Sequence, residues 1–114
     1  MRDKVREFAL ALPEAFEDHP WGEDVAKVGR KIFVFLGSST STSRRMTVKL
    51  EEAHAHALAI EGAEPTGYGL GKAGWVTVPL EAPGVDLELL RDWVEESYRI
   101  VAPRRLVTML DDER

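Results

Sequence analysis

Gly67-Tyr68-Gly69-Leu70-Gly71-Lys72-Ala73-Gly74-Trp75 runs directly into Val76-Thr77-Val78-Pro79-Leu80, and the reading of this junction decides the fold. Four glycines in eight positions give a backbone free to turn sharply or to admit another group closely. Residues 69–74 have the G-x-G-x-x-G spacing of a dinucleotide loop. Such a loop must leave a strand and open a helix, whose N-terminus meets the pyrophosphate. This one opens a β-branched, aromatic segment, which reads as a strand. A Walker loop fails as well, because residue 66 is threonine and alanine follows Lys72. The glycines are read as a turn-rich link into a strand.

Working outward from that strand, Arg45-Met46-Thr47-Val48-Lys49-Leu50 alternates cleanly, with Met46, Val48 and Leu50 facing in and Arg45, Thr47 and Lys49 facing out. Lys31–Leu36 is apolar on both faces, as a central strand would be. Val25–Val28 is a short strand joined to it by a tight turn at Gly29-Arg30. Residues 14–24 are acidic and read as a loop or short edge strand, and 37–43 as a flexible polar loop. Val5, Phe8, Ala9 and Leu12 form the apolar face of a first helix, ended by Pro13. Glu51–Ile60 is an alanine-rich second helix. Asp86 caps a last helix with Leu90, Trp93, Val94, Ser97, Tyr98 and Val101 inward, and Pro103 kinks or restarts it. With a weak strand near 64–68, the order is α-β3-α-β2-α. It predicts an α+β domain of two layers, a mainly antiparallel sheet with its helices on one face.

The other face is then open, and its composition points to function. Net charge is −5 over 114 residues, which argues against a protein that coats nucleic acid indiscriminately. Yet residues 25–50 carry Lys27, Arg30, Lys31, Arg44, Arg45 and Lys49 and no acid. If Val76, Val78 and Leu80 turn to the helices, Trp75 and Thr77 turn outward beside Arg45, Thr47 and Lys49. Either Phe33 and Phe35, or Ile32, Val34 and Leu36, must join them. The expected surface is aromatic, basic and hydroxyl-bearing.

Other chemistries find little support. The chain has no cysteine, so disulfides, thiol catalysis and thiolate metal sites are excluded. His54 and His56 are two residues apart and on a helix point about 200° from one another, unsuited to one metal. Glu51/Glu52, Glu95/Glu96 and Asp111/Asp112 are neighbours that do not face each other, so they make poor acid/base pairs. No serine sits in a nucleophile elbow. We expect no enzyme, cofactor or metal. The N-terminus has no apolar run behind its charges and no window of 18 apolar residues occurs, so a cytoplasmic chain is expected, with no membrane partner.

The chain resembles the MmcQ/YjbR-like family over nearly its whole length. The residues that carry the likeness are Leu10-Ala11-Leu12-Pro13, Pro20-Trp21-Gly22, Lys27–Phe33, Val48-Lys49, Gly67-Tyr68 with Leu70, Lys72, Trp75 and Thr77-Val78, then Ser97-Tyr98 and Ala102–Arg105. The resemblance implies a secretion-chaperone-like α+β fold. It also implies a DNA-binding role through a double-wing arrangement of hairpins, here Lys27–Lys31 and Gly37–Ser43. Many members read Gly-Tyr-His-x-Asn-Lys-x-His-Trp-Asn where this chain has glycine at 69, 71 and 74 and valine at 76. Four side chains able to hydrogen-bond are therefore missing.

Arg45, Lys49, Lys72 and Trp75 are the candidates for a nucleic-acid backbone and a stacked base, with Arg104 and Arg105 as an extension. Each has a plain alternative: lysine and arginine on an open sheet guard it against edge pairing, and Arg104 and Arg105 can pair with acids. Tyr68 beside Trp75 is a candidate ligand cleft, against simple packing. The alternative to DNA is a protein-interaction module, in which the aromatic sheet face meets another protein or a second copy of the chain.

Overall fold

The computed structural model describes residues 1–37, 44–67 and 69–113. Among these residues six strands form one sheet: β1 (Phe16–Asp18), β2 (Val25–Val28), β3 (Lys31–Phe35), β4 (Arg45–Lys49), β5 (Glu64–Pro65) and β6 (Trp75–Pro79). Their spatial order is β1-β2-β3-β4-β6-β5, and every adjacent pair is antiparallel. Four helices accompany them: α1 (Arg2–Leu10), α2 (His54–Leu58), α3 (Leu87–Val101) and α4 (Arg104–Asp112). The α+β class expected from the sequence is correct. The order α-β3-α-β2-α is not, since a fourth strand precedes α2 and a fourth helix follows α3.

Each addition has a specific cause. β1 has three residues, too few for a pattern, and exists because Phe16, Glu17 and Asp18 pair with Lys27, Ala26 and Val25. The fourth helix follows from Pro103. A residue before proline is pushed out of the helical region, and Ala102 is extended at ψ 150°. α3 ends there and α4 restarts behind the proline. At its other end, α3 begins on the expected cap, with Asp86 accepting the Leu89 N–H at 2.8 Å.

β4 and β6 behave as their alternation predicts. Met46, Val48, Val76 and Val78 are fully buried under the helices, and Lys49 stands opposite Trp75 on the outer face. β3 does neither thing foreseen for it. The register between β2 and β3 shifts so that Ala26 opposes Val34 while Lys27 opposes Ile32, leaving Phe33 as the extra residue of a bulge. Phe33 and Val34 are therefore both buried, and the Phe33 ring meets Tyr98 of α3 edge-on at 5.2 Å. Ile32 and Phe35 turn to the open side, where Phe35 meets Trp75 edge-on at 5.5 Å.

The bulge also separates β3 from β4. These strands pair only at Val34–Val48 and Phe35–Thr47. Beyond that point the fully buried Ser97 fills the gap, donating its hydroxyl hydrogen to Phe33 O at 2.5 Å and accepting from Lys49 N–H at 2.9 Å. A side chain of α3 thus completes a ladder that the strands leave open, as buried backbone groups require. Glu96 does something similar one residue earlier. Its carboxylate accepts the N–H groups of Glu51 and Ala53 at 2.7 and 3.3 Å, so the chain turns there and α2 begins at His54 rather than Glu51.

One hydrophobic cluster runs from Val5 to Leu110, with Trp93, Tyr98, Phe33 and Met46 among its largest members. Among the described residues no helix is long and apolar enough to cross a membrane.

Candidate functional site

Where β3 and β4 part, a cleft of about 320 Å³ opens at the end of the sheet. Arg30 comes from the β2–β3 turn, Lys31 and Ile32 from the start of β3, Lys49 from β4, Trp75 from β6 and Val101 from α3. The turn places its two cations because Gly29 adopts φ 62°, the left-handed value that glycine takes at the first position of a two-residue hairpin. Lys49 and Trp75 are cross-strand partners, so their side chains leave the sheet side by side.

The glycine-rich segment builds the rim of this region by packing. A short 3-10 turn, Leu70–Ala73, lies between Gly69 and Gly74, which have φ 79° and 101°. Gly74 accepts the Leu50 N–H at 3.0 Å, and a Cβ on it would come within 2.8 Å of the Leu50 carbonyl oxygen. A Cβ on Gly71 would come equally close to Pro65. The spacing that imitates a dinucleotide loop is therefore accounted for by two close backbone approaches, and it leads into β6 as expected.

The electrostatics single out the cleft. Elsewhere on the sheet, cations face acids: Lys27 with Asp18 at 3.3 Å, Arg44 with Glu81 at 3.5 Å and Arg45 with Glu64 at 3.7 Å. Arg105, at the start of α4, makes a two-pronged contact with Glu14 at 2.9 and 3.2 Å. That contact is the main reason the Glu14 carboxyl titrates below its ordinary range. Among the described residues Arg30, Lys31 and Lys49 enter no ion pair. Three cations that enter no ion pair among the described residues, lining one cleft with an aromatic ring, have the chemistry that suits an anion carrying a flat group.

The residues singled out from the sequence divide accordingly. Lys49 and Trp75 are brought together. Lys72 is exposed on the adjoining 3-10 turn, in a separate hollow with Glu51 and His54. Arg45 lies at the opposite end of β4, Arg104 is exposed at the start of α4, and Arg105 is occupied by Glu14. Tyr68 and residues 38–43 lie outside the described residues. Arg30 and Lys31 were seen only as a hairpin tip. The signal that could have found them is positional: in an antiparallel sheet the turn at 29–30 falls at the end that holds residues 49 and 75.

Sequence reasoning also missed a charged cluster at the opposite corner. Arg2 donates to Asp24 at 2.5 Å and to Leu36 O at 3.1 Å, and Arg6 grips both oxygens of Glu17. His19 lies between the two acids, with Nδ1 2.7 Å from Asp24 and Nε2 3.6 Å from Glu17. The cluster ties α1 to β1 and to the segment before β2. Hydrogen bonds from Arg2 and Arg6 respectively hold the Asp24 and Glu17 carboxyls below their ordinary values of 3.8 and 4.5. A depressed carboxyl contributes stability that is complete above its unfolded value and is lost as pH falls through the folded one. We therefore expect the urea midpoint to fall as pH drops below about 4.5. The fall should be shallower in Asp24→Asn. Identical pH profiles for the two proteins would refute this role for Asp24.

A family model, YjbR, matches residues 10–100, which includes all six strands and nearly all of α3. No curated protein matches the chain.

Proposed function

The chain belongs to the YjbR family, and from that premise we propose a small, non-enzymatic cytoplasmic domain that binds nucleic acid, DNA in particular, through the cleft at the end of its open sheet face. Arg30, Lys31 and Lys49 neutralise phosphates, and Trp75 offers its ring to a base or sugar edge. Lys72, on the turn leading into β6, adds charge at the rim. One observation carries the reading: among the described residues these three cations have no acid partner, while Lys27, Arg44 and Arg45 on the rest of the sheet have one. Ion pairs occupy a surface, whereas unpaired cations held side by side repel one another and gain from a polyanion that displaces its counterions.

The net charge of −5 fits local contact rather than enclosure of a duplex, because acids elsewhere repel DNA. The double-wing arrangement enters the reading only through the Lys27–Lys31 hairpin, whose tip carries two of the three cations.

The test is fluorescence anisotropy of labelled oligonucleotides, single- and double-stranded, at low and physiological salt. Binding at micromolar concentration or tighter in low salt, weakening as salt rises, is the expected result. No binding at low salt, where attraction to phosphate is strongest, would overturn the proposal.

A further inference from the structure

The strand registers align more than the cleft. Following the cross-strand partners outward from it, Phe16 opposes Lys27, Lys27 opposes Ile32, and on the far side of the gap Lys49 opposes Trp75. Directly opposed residues share a face, so Phe16, Lys27 and Ile32 line up on one side of the gap and Lys49 and Trp75 on the other, and the cleft that Ile32, Lys49 and Trp75 line joins them into one row across the open side. Its two ends are aromatic. Phe16 is 45% exposed, unusual for a ring of its size, and the Lys27 ammonium sits 5.9 Å from its centre. From β1 to β6 the row crosses three paired strand spacings of roughly 4.8 Å and the wider gap between β3 and β4, so it spans at least about 19 Å.

Building on the nucleic-acid reading above, we propose that this row is a track for single-stranded DNA, with one base stacked at Trp75 in the cleft and another at Phe16 on the edge strand. Between the rings stand Lys27, whose 3.3 Å ion pair with Asp18 a phosphate must replace, and Lys49, which enters no ion pair among the described residues, an order that suits the bases and phosphates of an unpaired strand. A duplex hides its base faces and would leave both rings idle. The span suits a short site, near the low end of about 4–16 nucleotides seen in sheet-based single-strand binders. The next row favours DNA over RNA. Thr47 and Thr66 both hydrogen-bond the Thr77 hydroxyl, at 2.9 and 3.1 Å, which uses two of the three hydroxyl donors of that row and leaves it less to offer a 2′-OH.

The experiment measures anisotropy at low salt for labelled thymidine oligomers of two, four and eight nucleotides, their uridine counterparts and a duplex. Wild type, Phe16→Ala and Trp75→Ala are compared, after circular dichroism confirms that each is folded. The track predicts tighter binding of the single strand than of the duplex, and a gain from two to four nucleotides larger than from four to eight. It also predicts that Phe16→Ala weakens the tetramer about five- to a hundredfold and leaves the dimer unaffected. If Trp75→Ala weakens the tetramer and Phe16→Ala does not, binding stops at the cleft: the track is wrong and the nucleic-acid reading stands. Duplex binding as tight as single-strand binding also overturns the track, and equal affinity for uridine oligomers overturns its preference for DNA. Failure of every oligomer to bind overturns both proposals.

Discussion

Replacing Trp93 with alanine is expected to leave the protein at the edge of unfolding, with a loss of about 3–5 kcal/mol. The indole is 1% exposed in the central helix α3, and the His56 ring of α2 stands edge-on against it at 5.4 Å. Removing it deletes a large apolar area and leaves a cavity in the layer that supports β3 and β4, which cannot collapse without moving the sheet. A domain of this size has only about 5–15 kcal/mol in total, so one substitution takes a large share. Urea unfolding followed by far-UV circular dichroism gives the number. A loss below about 1 kcal/mol would mean that Trp93 does not fill the core as described.

The second large effect concerns binding. The double substitution Lys31→Glu, Lys49→Glu is expected to reduce affinity for a single-stranded oligonucleotide at low salt by at least about a hundredfold, since each reversal removes a phosphate partner and adds a repulsive charge. Arg45→Glu and Arg105→Glu should cost far less, because Glu64 and Glu14 already oppose those cations. Lys31 is exposed and Lys49 half-buried, and neither enters an ion pair among the described residues, so the fold should survive, as a thermal melt would verify. Anisotropy across the four proteins separates the possibilities. A loss in the double variant no larger than those of Arg45→Glu and Arg105→Glu added together would show that binding follows overall charge and has no address.

Much of the fold was legible because it rests on local rules. The period of two in β4 and β6, the cap at Asp86, the turn at Gly29-Arg30 and the break at Pro103 are each decided within a few residues. What was not legible depends on partners distant in the chain. In Lys31–Leu36 every residue after the lysine is apolar, so alternation could not reveal which residue is the bulge, and Phe33 is singled out only by its register with β2. β1 exists only as the partner of β2. The second helix begins at His54, behind a turn whose Glu51 and Ala53 N–H groups are taken by Glu96, 45 residues beyond Glu51.

The site was half legible for the same reason. Lys49 and Trp75 stood out because alternation sets them on one face. Whether a cation is free or neutralised cannot be seen in sequence: Arg105 and Glu14 are 91 residues apart, and nothing near Arg105 announces its partner. Arg30 and Lys31 look like an ordinary hairpin tip until the order β3-β4-β6 brings them to the same end as Trp75. Ser97 carries no sequence mark of its role, since a serine on the inner side of a helix gives no hint that it bridges two strands.

The central claim is that three unpaired cations at one cleft engage phosphates, and the salt dependence of single-strand binding tests it most directly. Each neutralised phosphate contributes about −0.7 to the slope of log affinity against log salt on a single strand. Arg30, Lys31 and Lys49 therefore predict a slope of about −2 or steeper for the wild type, and a slope shallower by roughly one contact for Lys49→Gln. A slope near zero, or one that Lys49→Gln leaves unchanged, would contradict the assignment of the cleft.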